Sequence, residues 1–361
     1  MVKRLIIFLI FIRIAIYLGS YFINYNFQPN FLLHLLSFAN QWDSPHYLYI
    51  AGHWYQNFGD EANFIVFLPV YPILIKIFSF IFSDYKISAL ILSNTCFILA
   101  EYFFYKLLRL DYDEKFSAFV TILVSIFPTS YFFSSAYPES IFFLLFCLSA
   151  YYIRQHDFFK SSISAGVASL TRPFGVMFLP MLITESLVQK IKFKKIIEIT
   201  AIVTTFYFIY LLINYFIYGN PLAFQTILSN HWGKTFSPPW VGIINSWKVA
   251  IQGTTWDSYK IFVGFWEAIF STLAWLVVPF MFFGKTKIRL SYAVYYFFGV
   301  LLFTSTSFLL SSPRYILSLP PFFIVFARIL KPKFAKIVWI GVSVVLLFYL
   351  TGLFSRGQWA F

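Results

Sequence analysis

Charge is scarce in this chain. Only 11% of its 361 residues are Asp, Glu, Lys or Arg, against about 25% in a soluble domain. With 60% hydrophobic and 24% aromatic residues, it reads as a membrane protein. Acids are the rarer sign, 14 against 27 Lys and Arg. The formal net charge of +13 is explained by basic cytoplasmic loops, and no nucleic-acid partner is expected. Cys96 and Cys147 sit in apolar runs and read as small core residues, without a disulfide or metal pattern. The chain has no Ser-His-Asp order, no Gly-rich nucleotide loop and no His/Cys cluster. A nucleotide-sugar donor is therefore not supported, and no tightly bound cofactor or metal is expected. Nothing reads as a soluble domain, a short-period repeat or a low-complexity linker.

The apolar runs are continuous rather than alternating, which selects helices over a barrel. The expected fold is an all-α polytopic bundle forming one domain over residues 1–361. The first span, 5–25, starts behind Lys3 and Arg4, which hold its N-terminus in the cytoplasm. It reads as an uncleaved helix rather than a signal peptide. Arg13 lies inside it and should be functional or paired. The run 64–82, with Pro69 and Pro72, either crosses or lies in the outer leaflet. The second arrangement collects more Lys and Arg inside, Lys285 and Lys287 among them, and is preferred. It requires 161–189 to form two short spans broken near Arg172-Pro173. Further spans are expected at 88–109, 116–136, 138–153, 161–172, 174–189, 196–218, 260–283, 290–310, 315–329 and 334–354, about 11 in all. Outside lie a first loop at about 26–87, carrying interfacial helices, and a large loop at about 219–259.

The unusual polar groups then gather on the outside. Trp42-Asp43-Ser44-Pro45-His46-Tyr47 follows the first span. Asp43 and His46 are three apart and could share a helix face, although Asp43 would also serve as an N-cap. Tyr137-Pro138-Glu139-Ser140 separates two spans, where Glu139 could be a plain first-turn acid. Thr171-Arg172-Pro173, His231 with Lys234, and Ser312-Pro313-Arg314-Tyr315 complete the set. Each alone has a dull explanation, such as a helix break or a snorkelling cation. Together they suit a site with an acid or base that binds phosphate. Among the outside acids, Asp43 and Glu139 have the most crowded surroundings.

At these residues the chain resembles the GPI mannosyltransferase II (PIG-V) family. The resemblance is carried by Trp42–Tyr47, Phe67-Leu68-Pro69-Val70-Tyr71-Pro72, Ser134–Ser140, Ala165–Pro173, Ser312–Tyr315 and the terminal Ser355-Arg356-Gly357-Gln358-Trp359. It runs in order over nearly the whole chain. The eukaryotic members are longer, so this chain resembles a compact, prokaryote-type relative. The resemblance implies a GT-C transmembrane bundle with its active site on the outer or lumenal face. The membrane would be the cytoplasmic one in a prokaryote and the endoplasmic reticulum in a eukaryote. It also implies a polyprenyl- or dolichyl-phosphate mannose donor and a lipid-linked glycan acceptor such as a GPI-like glycolipid.

The expected chemistry is inverting transfer, with Asp43 as general base. Its catalytic neighbours are His46 and the second acid, Glu139. Arg172 and Arg314, with Lys234 and His231 behind them, are the candidates for donor phosphate. Trp42, Tyr47, Tyr137 and Tyr315 are the aromatics expected to touch substrate. The rival class is a polytopic lipid or sugar transporter or flippase, whose mark would be matching halves with interrupted helices. The chain shows helix breaks but no such halves.

Overall fold

The structure is a computed structural model and describes residues 2–252, 255–283 and 288–361. Lys285 and Lys287, counted above with the cytoplasmic charges, lie outside the described residues. The described chain is helical and has no β-strand, only an isolated bridge between Phe236 and Thr306.

The helices in order are α1 (Val2–Ile23), α2 (Phe31–Ser37), α3 (Ser44–His53), α4 (Val70–Phe82), α5 (Tyr85–Leu108), α6 (Glu114–Ser125), α7 (Glu139–Arg154) and α8 (Phe158–Ser169). They continue as α9 (Phe178–Val188), α10 (Phe193–Tyr218), α11 (Ala223–Asn230), α12 (Pro239–Ile251), α13 (Glu267–Phe282), α14 (Leu290–Thr304), α15 (Ser312–Tyr315), α16 (Pro321–Ile329) and α17 (Lys333–Ser355). A π-helical turn, Lys260–Trp266, runs straight into α13. Among the described residues, five helices are long and apolar enough to cross a membrane: α1, α5, α10, Lys260–Phe282 and α17. A sixth arises if Asp60–Val66 and α4, bent by 106° to each other, count as one. The chain is therefore a helical membrane protein.

Short elements explain the rest. α8 has 12 residues, about 18 Å at 1.5 Å per residue, well short of a ~30 Å hydrocarbon core. Gln189 Nε2 donates to the Ile153 carbonyl at 3.2 Å, so the far ends of α7 and α9 meet. Arg172 and Glu139 meet at the opposite end. Residues 158–188 thus form a hairpin whose tip is the Arg172-Pro173 break. The tip is tight: a Cβ on Gly175 would stand 2.3 Å from Ser169 Cα. Both ends of α4 lie at the tip end too. Val70 N–H donates to Leu170 O at 3.0 Å, and Asp84 already caps α5.

Three expected spans are corrected. The helix expected over 116–136 ends at Ser125, ahead of Pro128, and resumes only as a 3-10 turn at Ser130–Ser134. Proline lacks the N–H that would continue it. Arg13 occupies the resulting gap. It donates to the freed carbonyls of Ser125 (2.5 Å) and Ser130 (2.8 Å) and lies 4.4 Å over the Phe97 ring. Arg13 is thus a buried structural clamp. The helix expected over 290–310 stops at Thr304, where the backbone of Ser305–Ser307 pairs instead with Thr235–Ser237 of the large loop. The helix expected over 315–329 is broken by Pro320 and Pro321, leaving Arg314 on the short α15.

The first loop carries α2, α3, a 3-10 turn at Asp60–Val66 and α4. The large loop carries α11 and α12. α1 and α17 run parallel, with Ser20 Oγ 3.0 Å from Ser355 Oγ and Asn24 Nδ2 2.9 Å from Gly352 O. The ends of both helices therefore flank the first loop.

Candidate functional site

The site is a chain of alternating charges at the tip end of the bundle. Asp43 Oδ2 accepts from Arg314 Nη1 at 2.8 Å. Arg314 Nε donates to Glu139 Oε1 at 2.5 Å. Arg172 Nη1 lies 2.5 Å from the same oxygen as an ion pair, off hydrogen-bond alignment. The Glu139 side chain is 0% exposed, Arg172 6%, Arg314 9% and Asp43 29%. The chain of charges is therefore sealed at Glu139 and open at Asp43. Two carboxylates balance two guanidinium groups, as buried charges require.

Local backbone explains how each group arrives. Asp43 stands at the N-cap position of α3, with Pro45 in the first turn, yet its side chain makes no capping bond. It turns to Arg314 instead, so the ordinary reading of Asp43 as a cap is corrected. Trp42 takes φ 52° in the left-handed region, which swings the chain into place. Ser311, three residues before Arg314, does the same at φ 72°. Left-handed backbone without glycine costs on the order of 1 kcal/mol and clusters at functional sites.

Glu267 compensates at Ser311. Its carboxylate is fully buried and accepts the N–H of Ser311 at 2.6 Å and of Ser312 at 2.7 Å. It therefore fixes the start of α15 and the position of Arg314. Glu267 lies one to two turns into the apolar segment 260–283. A buried acid there was the available signal, since such a group needs a partner.

Arg314 lies 4.5 Å over the Tyr137 ring and 4.7 Å over Phe132. Burial works against its charge, but Glu139 and Asp43 outweigh that and hold its pKa well above the ordinary value. Tyr137 also locks the loop: its hydroxyl donates to Gln41 O at 3.0 Å and accepts from Asp43 N at 3.1 Å. Tyr137 is fully buried and Tyr47 nearly so. Both had been expected to touch substrate; their burial makes them supports behind Asp43. Tyr47 packs edge-on to Tyr71 at 5.3 Å. Trp42 remains exposed, edge-on to Trp359 at 4.8 Å.

His46 does not bond Asp43. Its ring packs 4.4 Å from Phe64 and 4.9 Å from Phe67, with Trp232 at 6.0 Å. Burial lowers its pKa; Asp43 opposes that shift and His231 adds to it. His231 is exposed and packs against Trp232. Tyr315 is flanked by two cations, Arg172 Cζ at 5.9 Å and Lys234 Nζ at 5.6 Å. Lys234 Nζ is 3.5 Å from the Tyr315 hydroxyl and has no carboxylate partner among the described residues. The structure thus brings Asp43, Glu139, Arg172 and Arg314 into one cluster, with His46, His231 and Lys234 along its edge. No family model, curated protein or solved structure matches the chain.

Proposed function

We propose that this protein is a GT-C-type membrane glycosyltransferase, moving a mannose-type sugar from a polyprenyl-phosphate donor to a lipid-linked glycan acceptor with inversion. One observation carries this. Asp43 has one oxygen pinned at 2.8 Å by Arg314, while Oδ1 has no hydrogen-bond partner among the described residues and the side chain is partly open. That is the arrangement a positioned base needs: fixed on one side, free on the other. In the proposed step Oδ1 takes the acceptor hydroxyl proton as that oxygen attacks the anomeric carbon. The bond from that carbon to the phosphate oxygen breaks on the opposite face, and the polyprenyl phosphate leaves with the electron pair.

Charge balance refines the donor side. Arg172 and Arg314 are already neutralised by Glu139 and Asp43. Lys234 has no ion-pair partner among the described residues, feels the Glu267 carboxylate only at longer range, and is the first contact for the leaving phosphate, with Arg172 behind it across Tyr315. Glu139 holds both arginines in place, and His46 contributes a neutral aromatic face.

The eleven-span topology with an outward-facing site is part of the same proposal. It is supported by the parallel α1 and α17, whose adjacent ends require an odd number of crossings. The hairpin 158–188 keeps that parity, because its two short legs return the chain to its starting end.

The test is transfer by the purified protein, with and without polyprenyl-phosphate mannose, to a lipid-glycan acceptor. Donor-dependent product that vanishes in Asp43→Asn is expected. Movement of the donor across vesicles without any glycosidic product would replace the proposal with a flippase.

A further inference from the structure

A second polar feature lies beside the cluster and has no part in the transfer step as drawn. It is a cavity of about 470 Å³ between the ends of α1 and α17, α2 and the start of α5. Lys86 and Arg356 stand in its wall, and no Asp or Glu does. Neither cation has a carboxylate partner among the described residues. Arg356 Nε donates to Gly352 O at 3.2 Å and its guanidinium rests 4.9 Å over Phe27, leaving the terminal nitrogens free.

The rest of the wall is neutral and mostly polar, with Gln28, Ser37, Asn40 and Gln41 among its lining residues. His34 and Asn24 also border it but are each only 1% exposed. Phe27 and Leu33 are exposed at 69% and 52%, giving the cavity an apolar margin. Gln41 joins it to the cluster. Gln41 lines the cavity, donates to Ser355 O at 3.4 Å, and accepts from the Tyr137 hydroxyl that also holds Asp43 N.

We propose that this cavity seats the phosphate-bearing, hydroxyl-rich headgroup of an anionic lipid, which is the acceptor of the transfer step; the assignment rests on that step. The phosphate sits on Lys86 and Arg356, where a charge-assisted contact replaces the absent carboxylate. Hydroxyls of the headgroup meet Ser37, Asn40 and Gln41. The acyl chains lie along Phe27 and Leu33 into the bilayer. A hydroxyl extending past Gln41 comes to the open oxygen of Asp43.

The experiment uses the full chain in phosphatidylcholine nanodiscs doped with phosphatidylglycerol, whose head carries both phosphate and hydroxyls. Retained lipid is counted by native mass spectrometry. Wild type is expected to keep phosphatidylglycerol over phosphatidylcholine and over phosphatidic acid, which lacks head hydroxyls. Lys86→Gln/Arg356→Gln should weaken retention about tenfold, the scale of one or two charge-assisted contacts. Arg356→Lys should recover part of it, which separates lost charge from misfolding. Asp43→Asn should retain the lipid as wild type does. Equal retention by the double variant overturns the site. Displacement by soluble glycerol phosphate at matching concentration overturns the lipid assignment in favour of a soluble phosphate ester.

Kinetics separate this from the parent proposal. A double variant with wild-type KM for the lipid acceptor sinks the cavity and leaves transfer standing. Charge-dependent lipid retention in a protein that transfers no sugar sinks the transfer step and the acceptor role with it, leaving only a lipid site.

Discussion

Glu139 is the residue on which the cluster's charge balance turns. Its single oxygen Oε1 lies 2.5 Å from both Arg172 and Arg314. Glu139→Gln would leave two buried guanidinium groups against one carboxylate. Removing one partner of a buried ion pair costs about 3–5 kcal/mol, so a large fall in the detergent melting temperature is expected. Glu139→Gln melting like wild type would show that the charges are not coupled as drawn. Asp43 is different in kind. Its partner Arg314 keeps Glu139, so Asp43→Asn should fold, while kcat falls by roughly 10²–10⁴, the range for a positioned base. Wild-type kcat in that variant would pass the role to another acid.

His46 adds a pH dependence. Burial lowers its folded pKa below the unfolded 6.5, so the folded state prefers the neutral ring. As pH falls through about 6.5 the unfolded chain takes up a proton that the folded chain resists, and stability drops. The loss levels off once pH is below the folded value. His46→Phe keeps the contact with Phe64 and Phe67 and removes the proton. The difference in melting temperature between wild type and His46→Phe should shift against wild type from pH 7.5 to 5.5. A constant difference across that range would exclude the effect.

At the scale of elements, the cluster depends on two short pieces that cannot stand alone. α15 has four residues, too few for a helix to be stable by itself. It is held by Glu267 through the Ser311 and Ser312 N–H groups. Glu267→Ala should leave both donors unsatisfied, lower the melting temperature and reduce transfer by misplacing Arg314; Glu267→Gln, keeping one acceptor, should fall between. Transfer unchanged in Glu267→Ala would mean that Arg314 is placed by its ion pairs alone. The hairpin 158–188 is held at its tip by the approach of Gly175 to Ser169. Its other leg is pinned by Glu185, which accepts from Arg289 Nε at 2.7 Å and from Ser291 Oγ at 2.6 Å.

At the scale of the whole molecule, polar groups sort to two ends. The tip end holds Asp43, Glu139, Arg172 and Arg314. The opposite end holds Asp111 paired with Arg154 at 2.7 Å, and Arg328 5.1 Å over Tyr112. Under the proposed topology, the exposed Asp60, Lys115 and Lys160 report the two faces. In a background without Cys96 and Cys147, cysteine at Asp60 should react with an impermeant thiol reagent on intact cells. Cysteines at Lys115 and Lys160 should react only after permeabilisation. Labelling of all three from outside would overturn the orientation and move the site with it.

Composition alone determined that this chain lives in lipid. With 11% charged residues, no arrangement of the backbone gives a soluble surface. The long apolar runs that became α1, α5, α10 and α17 were legible for the same reason, since a helix in lipid satisfies its own backbone locally. The break at Arg172-Pro173 and the short helices of the first loop were legible because proline acts within a turn. Sequence also picked out Asp43, Glu139, Arg172 and Arg314, as polar groups that a membrane chain keeps only where they are matched. What each of them touches was decided by tertiary structure. Asp43 and Arg314 are 271 positions apart, and no local rule places a carboxylate against a guanidinium at that separation. The same holds for Glu267, Arg13 and Tyr137, whose partners lie on other helices. Buried charge must be balanced wherever the fold puts it, and only the packed bundle determines which charges meet.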